Sequence, residues 1–413
     1  MNSRLLERFL RYIQIDTTAD PTTTDYPSST NQFELGKLLV DELNQIGLAD
    51  VSQDENGIVT ATLPGNTGKD TPAIGFCSHM DTSPESPGAN IKPQIIENYP
   101  GGPITLDAGD GEPARVITPD ESPALDKLVG KTIITTDGTT LLGADDKAGI
   151  AIIIEAVQRM VEQPEMPHGP IRVCFTCDEE IGRGVDKINV EDLGIVACYT
   201  LDGEGHDLID VETFSADCAT VTVHGVNIHP SIAKDRMTNA IRVAARLIER
   251  IPVEQGPEST DGRVGFLHPY QLSGGVEKTE FKVLLRSFET PELADQAAML
   301  KKIAAEVNAE FPAAKIDVDV QKQYRNMRDG LGKEPRAVKL AVEALKRLGR
   351  EPKEEIVRGG TDGSRLTELG LPTPNLSCGG HTPHSRLEWA CLEEMESSVE
   401  WITAIAAAWA EEV

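Results

Sequence analysis

Three of the eight histidines in this 413-residue chain stand in acid-rich or glycine-rich company. His79 and Asp81 close the apolar run "AIGFCSHMD", and residues two apart on a strand share one side of it. Asp145 and Asp146 follow "TLLG", Asp178, Glu179 and Glu180 follow "IRVCFTC", and Asp202 follows "ACYTL". His381 and His384 lie in "GGHTPHSRLEW". Taken singly, each acid reads as a helix cap or a turn residue. Taken together, carboxylates gathered at one edge of a sheet cannot all stay ionised without a cation. Carboxylate and imidazole donors suit zinc, cobalt or manganese better than calcium, and two metals sharing a carboxylate make a strong electrophile. The lack of an H-E-x-x-H motif leaves a two-metal hydrolase open.

The elements that must position these groups read as alternating helices and strands. "NQFELGKLLVDELNQIG" has helical periodicity, "AIGFCSHMD", "KTIITT", "IRVCFTCDEE" and "ACYTLDGEG" read as strands, and "DDKAGIAIIIEAVQRM" reads as a buried helix with acids at its start. The fold class is α/β, with helices on both faces of a sheet whose carboxyl edge gathers ligands. Near residue 210 the texture changes to β-α-β-β-α-β, the order of a complete small α+β domain. The reading is therefore 1–209 as the first part of a main domain, 210–322 as an insert, and 323–413 as the second part. The Pro-, Gly- and Asp-rich segment from Thr82 to Lys131 reads as an elaborated surface loop with one short hairpin.

Composition bounds the partners. A formal net charge of −28 argues against nucleic acid and anionic membranes and favours cations. No apolar stretch reaches the ~20 residues of a membrane span. Seven scattered cysteines suit a reduced cytoplasmic chain. Cys174 and Cys177 spell C-x-x-C, but positions three apart on a strand face opposite ways, so a shared metal or disulfide is not expected. "LVGKT" lacks the first glycine of a phosphate loop, with Leu125 in its place.

"SHMDTSPE", "TTDGTTLLGADDKAGIA", "FTCDEEIGRG", "YTLDG", "NIHP", "RGGTDGSRL" and "HSRLE" occur in an order that resembles the peptidase T family of tripeptide aminopeptidases. That family belongs to the dizinc exopeptidases, with the aminoacylases and carboxypeptidase-like enzymes. The resemblance runs from "LLERFLRYIQIDT" to the last helix. It implies a mixed-sheet catalytic domain with an inserted lid and dimerisation domain, removal of the N-terminal residue from tripeptides, two Zn2+ per subunit with Co2+ or Mn2+ as alternatives, and a cytoplasmic homodimer. His79, Asp145 and Asp202 would hold one metal, and Asp145 would bridge to a second held by Glu180 and His384. Asp81 would hydrogen-bond and orient His79. Glu179 would be the general base for the dizinc-bound water.

In the insert, His229 of "NIHP" matches the histidine that stabilises the oxyanion, often from the opposing subunit. Asn239, Arg286 and Arg358 match positions that bind the backbone or carboxylate of a short peptide. Their bland readings are a helix-start residue for Asn239 and a strand-edge charge for Arg286. His381 fits the ligand slot less well than His384, and His168, His206, His224 and His268 are left structural or exposed. "HSRLE" has serine where peptidase T typically has glycine, and "LDGEG" replaces a commoner double glycine. Both departures bear on tripeptide preference rather than on the metals. The competing readings are a dipeptidase or N-acyl amino acid deacylase on the same centre, and an inert metal- or peptide-binding protein.

Overall fold

The apolar runs that end in the candidate acids are the middle strands of one sheet. In the computed structural model, which describes residues 3–107, 109 and 114–412, strands Ile171–Thr176, Ile74–His79, Ala197–Glu204 and Asn375–His381 are neighbours in that order and mutually parallel. Every residue of Ile74–His79 is buried, as expected of a parallel strand covered on both faces. Antiparallel strands extend the sheet on both sides: Val59–Leu63 and Ala49–Gln53 beyond Ile171–Thr176, and Trp389–Cys391, Ile133–Thr136 and Pro93–Ile96 beyond Asn375–His381. Leu208–Thr213 also pairs with Asn375–His381 and with Lys353–Val357, completing an eleven-stranded mixed sheet.

Helix Ala144–Glu162 buries Ile150, Ile152, Ile153, Ile154 and Val157, so it is apolar nearly all round. Helices Arg4–Tyr12 and Leu392–Glu411 pack against it. The first is amphipathic, burying Leu5, Leu6, Phe9 and Tyr12, and it carries buried Arg8 onto Glu155.

Thr82–Lys131 is more ordered than its lack of periodicity suggests. Pro93–Ile96 joins the edge of the main sheet, and Ile104–Leu106 pairs with Arg115–Ile117. Tyr99, Ile104, Leu106, Ile117, Leu125 and Leu128 form a small core with Trp389. The pieces are too short to show a period. Residues 108 and 110–113 of this segment lie outside the described ones.

The chain divides into two compact units. Met1–Val211, Met327–Glu355 and Thr361–Val413 form one; Glu212–Asn326 and Ile356–Gly360 form the other. The smaller unit is built β-α-β-β-α-β, its antiparallel sheet ordered Phe266–Gly274, Lys278–Ser287, Ser215–His224, Lys315–Tyr324. Helices Ala240–Arg250 and Glu292–Glu310 contribute Leu247, Leu300 and Val307 to a core with Val221, Val223 and Phe281. Cys174 and Cys177 lie in different apolar clusters, on opposite faces as strand geometry requires. No helix among the described residues is long and apolar enough to cross a membrane.

Candidate metal centre

Four parallel strands and the start of one helix deliver the acids and two histidines to a common edge. His79 is the last residue of its strand and 2% exposed. Glu179 and Glu180 open a short 3-10 turn just past Ile171–Thr176, Asp202 lies in Ala197–Glu204, and Asp145 opens the buried helix. His384 stands at φ 59° in the turn after Asn375–His381.

These residues meet. His79 Nε2 lies 2.8 Å from Asp145 Oδ1 and 3.7 Å from Asp202 Oδ1. His384 Nε2 lies 3.2 Å from Asp145 Oδ2 and 2.9 Å from Glu180 Oε2. Two triads result, His79 with Asp145 and Asp202, and Asp145 with Glu180 and His384. Within each, the donor atoms all lie within 4.8 Å of one another. Asp145 turns one oxygen to each triad. The other Glu180 oxygen, Oε1, is buried without a hydrogen-bond partner among the described residues, a costly state unless a ligand takes it up. The donor set and this orphaned atom fit a pair of divalent cations.

The surroundings hold the carboxylates in place. Asp81 Oδ1 and Oδ2 accept the main-chain N–H groups of Glu179 and Glu180 at 3.0 and 3.1 Å. The His79 ring meets the Asp81 carbonyl through Nδ1 at 3.1 Å, with Asp81 Oδ1 at 3.4 Å. Asp81 thus touches His79 as well as bracing the neighbouring acids. Asp178 is fully buried at φ 62° and accepts from Ser28 and Gln32, a turn role. Gly182 needs its positive φ of 75°, while a Cβ on Gly184 would meet Asp362 Oδ1 at 2.0 Å. Asp146 accepts the His79 N–H at 3.3 Å and that of Gly149 at 3.2 Å.

Glu388, the last residue of "HSRLE", is 1% exposed. It accepts the N–H groups of Leu142, Gly143 and Asp145 at 2.6, 2.8 and 3.1 Å. An acid four residues after His384 was the only local signal, and nothing nearby reveals that three amides face it.

Burial and close charges shift the pKa values of these groups in opposite directions. Burial opposes charge on His79, but Asp145, Asp202 and Asp81 outweigh it and raise its pKa well above the usual value. Likewise burial opposes charge on His384, yet Asp145 and Glu180 push it up to about 11. Burial, reinforced by Asp145, pushes Glu180 up to about 8 and Asp202 up to about 7. Burial would raise Asp145 too, but His384 and His79 hold it below the usual range. Glu179 is raised well above its usual range, chiefly by burial, against the pull of His79 and with Asp202, Asp362 and Glu180 adding to it.

The remaining candidates have partners within their own units. His381 stacks on Trp389 at 3.8 Å and bonds Glu394 through Nε2 at 2.6 Å. In the smaller unit, exposed His229 pairs its Nδ1 with Ser231 Oγ at 2.7 Å, and Asn239 caps its helix by accepting from Ile241 N–H at 2.9 Å. Arg286 donates to the carbonyls of Asp217 and Leu285 and lies over the Tyr324 ring. Arg358 donates to Thr260 and Val264 and lies over Phe214 and Phe266.

Residues 137–408 match the model of peptidase family M20/M25/M40. A peptidase T of Geobacillus kaustophilus (strain HTA426) is 44% identical over 405 residues, covering 98% of each chain. An aminopeptidase structure from Bacillus cereus superposes with TM-score 0.73 at 26% identity, over 99% of this chain and 98% of that one. A tripeptidase structure from Staphylococcus aureus superposes with TM-score 0.76 at 25% identity and the same coverage. The chain belongs to peptidase family M20/M25/M40, within its peptidase T group.

Proposed function

We propose that this chain is a metal-dependent aminopeptidase that removes the N-terminal residue from tripeptides. The observation that carries the reading is the pair of triads sharing Asp145 at the carboxyl edge of the parallel strands, in a chain 44% identical to a peptidase T. The resemblance to a tripeptidase structure supports the substrate class. His79, Asp145 and Asp202 would hold one cation, and Asp145, Glu180 and His384 would hold the other. Zinc suits these donors best, with cobalt and manganese as alternatives. Cations bound there supply Lewis acidity, which acidifies water and polarises the scissile carbonyl.

Glu179 is the general base in this reading. Its main-chain N–H donates to Asp81 Oδ1 at 3.0 Å. It takes a proton from the attacking water and returns it to the leaving amine. Asp81 fixes the peptide plane from which both Glu179 and Glu180 project. The smaller unit acts as lid and dimerisation module, with His229 on the oxyanion and Asn239, Arg286 and Arg358 on the peptide's polar groups. That assignment and the homodimer rest on the family resemblance. Seven free thiols support a cytoplasmic setting.

The test offers the purified chain, with zinc, cobalt or manganese, a free tripeptide, a dipeptide and an N-acetylated amino acid. Fastest release from the tripeptide is expected. Hydrolysis of the acetylated compound alone would make it a deacylase, and inertness toward all three with metal bound would leave only a binding protein. Mixing His229→Ala with Glu179→Ala subunits should restore activity if the histidine serves the partner's centre; exchanged dimers that stay inactive refute that part.

A further inference from the structure

The turn that carries His384 is under backbone strain. Thr382 stands at φ 54° and His384 at φ 59°, in the left-handed region that a β-branched residue such as threonine rarely enters. Residues so placed persist only where their surroundings hold them. His384 lies in the turn between Asn375–His381 and Trp389–Cys391, whereas His79 and Asp202 sit within strands of the main sheet. His384 therefore needs a support that the other two draw from the sheet.

That support comes from two distant segments. Glu394, in the first turn of helix Leu392–Glu411, is 5% exposed. Its Oε2 lies 2.6 Å from His381 Nε2 and its Oε1 2.6 Å from His206 Nδ1. Burial opposes charge on Glu394, but the bonds from His206 and His381 outweigh it and hold the carboxyl below the usual range. An ionised carboxylate only accepts, so both imidazoles donate to it. His381 is also stacked on Trp389, its partner across the antiparallel pair, at 3.8 Å and 6°. Glu204 Oε1 accepts the strained Thr382 N–H at 3.2 Å, and Gly205 exchanges main-chain bonds with Gly379 and Gly380 at 2.8 and 3.0 Å. Glu204 and His206 belong to "LDGEGH", the stretch from Asp202 onward in which this chain departs from a double glycine. The turn is thus tied both to the strand end that bears Asp202 and to the start of the last helix.

We propose that Glu394 is a positioning residue for the second cation: bridging His381 and His206, it holds the Thr382–His384 turn so that His384 faces Asp145 and Glu180. The inference rests on the two-cation reading above. His381 is then a brace rather than a ligand, since its Nε2 is taken up by Glu394 and its ring by Trp389. Glu394 acts on the cation only through the turn. Losing a group that orients a metal ligand typically weakens metal affinity by roughly 10–100-fold. The first cation, held by His79 and Asp202 from the sheet, does not depend on this brace.

The experiment titrates the full chain, stripped of metal, with Zn2+ against a competing chelator and counts the retained cations by metal analysis. His384→Ala identifies the second binding step as the one it loses. Glu394→Ala and His381→Phe, the latter keeping a ring against Trp389, should weaken that step by roughly 10–100-fold and leave the first nearly unchanged. Glu394→Gln keeps an acceptor for His381 and should recover most of the loss. A general loosening of the fold would weaken both steps alike, so equal weakening overturns the proposal. Wild-type affinity at the second step in Glu394→Ala or His381→Phe overturns it too, as does a glutamine variant no tighter than the alanine one. If Glu394→Ala does not fold, His381→Phe decides alone. A wild type that binds fewer than two cations removes the two-cation reading and this inference with it.

Discussion

At the scale of residues, three adjacent acids divide into different environments. Asp178 is bonded by Ser28 and Gln32, Glu180 lies 2.9 Å from His384 Nε2, and Glu179 has its amide on Asp81. If Glu179 is the base and Glu180 a ligand, Glu179→Gln keeps two cations per chain and loses about 10²-fold or more in kcat. Glu180→Ala is expected to lose one cation. Metal analysis of the purified variants decides, and equal metal loss in both would refute the division. Glu388 makes a second prediction. Because it clamps Leu142, Gly143 and Asp145, Glu388→Ala should weaken metal affinity by roughly 10–100-fold. Titration against a competing chelator measures this, and unchanged affinity would show that the clamp does not matter to the centre.

Asp210 gives a pH dependence. Burial pushes its carboxyl up to about 6 from the usual 3.8, with the bond from Asn375 offsetting part of that. A folded pKa above the unfolded one favours the native state while the group is protonated. That contribution is full below about 3.8 and is lost as pH rises through about 6. Asp210→Asn should therefore stabilise the protein near pH 8, on the order of 1–3 kcal/mol, and much less near pH 4. Urea unfolding at both pH values checks it, and an equal effect at each would sink it.

At the scale of elements, the first helix is held to the central one by charge as well as by Leu5 and Phe9. Glu155 accepts from Arg4 and Arg159 at 2.8 and 2.9 Å and also pairs with Arg8, which is 4% exposed. Arg8 keeps Glu42 and Gln158, so Glu155→Ala leaves one buried guanidinium nitrogen without its carboxylate and should cost about 1–3 kcal/mol of unfolding free energy. A loss below about 1 kcal/mol would mean the helix is seated by apolar contacts alone. The major elements were legible because their periods are strong. "AIGFCSHMD" and "IRVCFTC" are apolar runs bounded by acids, and "AGIAIIIEAV" is helical and apolar all round. Thr82–Lys131 was read only as loop and hairpin, since strands of three or four residues show no period and its core depends on Trp389 far along the chain.

At the scale of the whole molecule, a net charge of −28 sets the behaviour in salt. Self-repulsion opposes the compact state and is screened within about 8–10 Å at physiological ionic strength. Raising NaCl from about 50 to about 500 mM should move the urea midpoint upward; a midpoint that stays or falls would mean that local ion pairs outweigh the net charge.

Sequence alone determined the residue types, their order and the edge they end on. A strand places its last side chains at its carboxyl end, so His79, Glu179, Glu180 and Asp202 were bound to gather wherever their strands were neighbours. It also carried the family, in motifs long enough to name. Neither strand order nor convergence can be read from local periodicity. Only the tertiary structure set Ile74–His79 between Ile171–Thr176 and Ala197–Glu204. It alone turned the two Asp145 oxygens toward two histidines 305 positions apart in the chain, His79 at 2.8 Å and His384 at 3.2 Å. Glu388 was invisible for the same reason: it joins segments more than 200 residues apart, and such contacts are decided by packing rather than by neighbours in sequence.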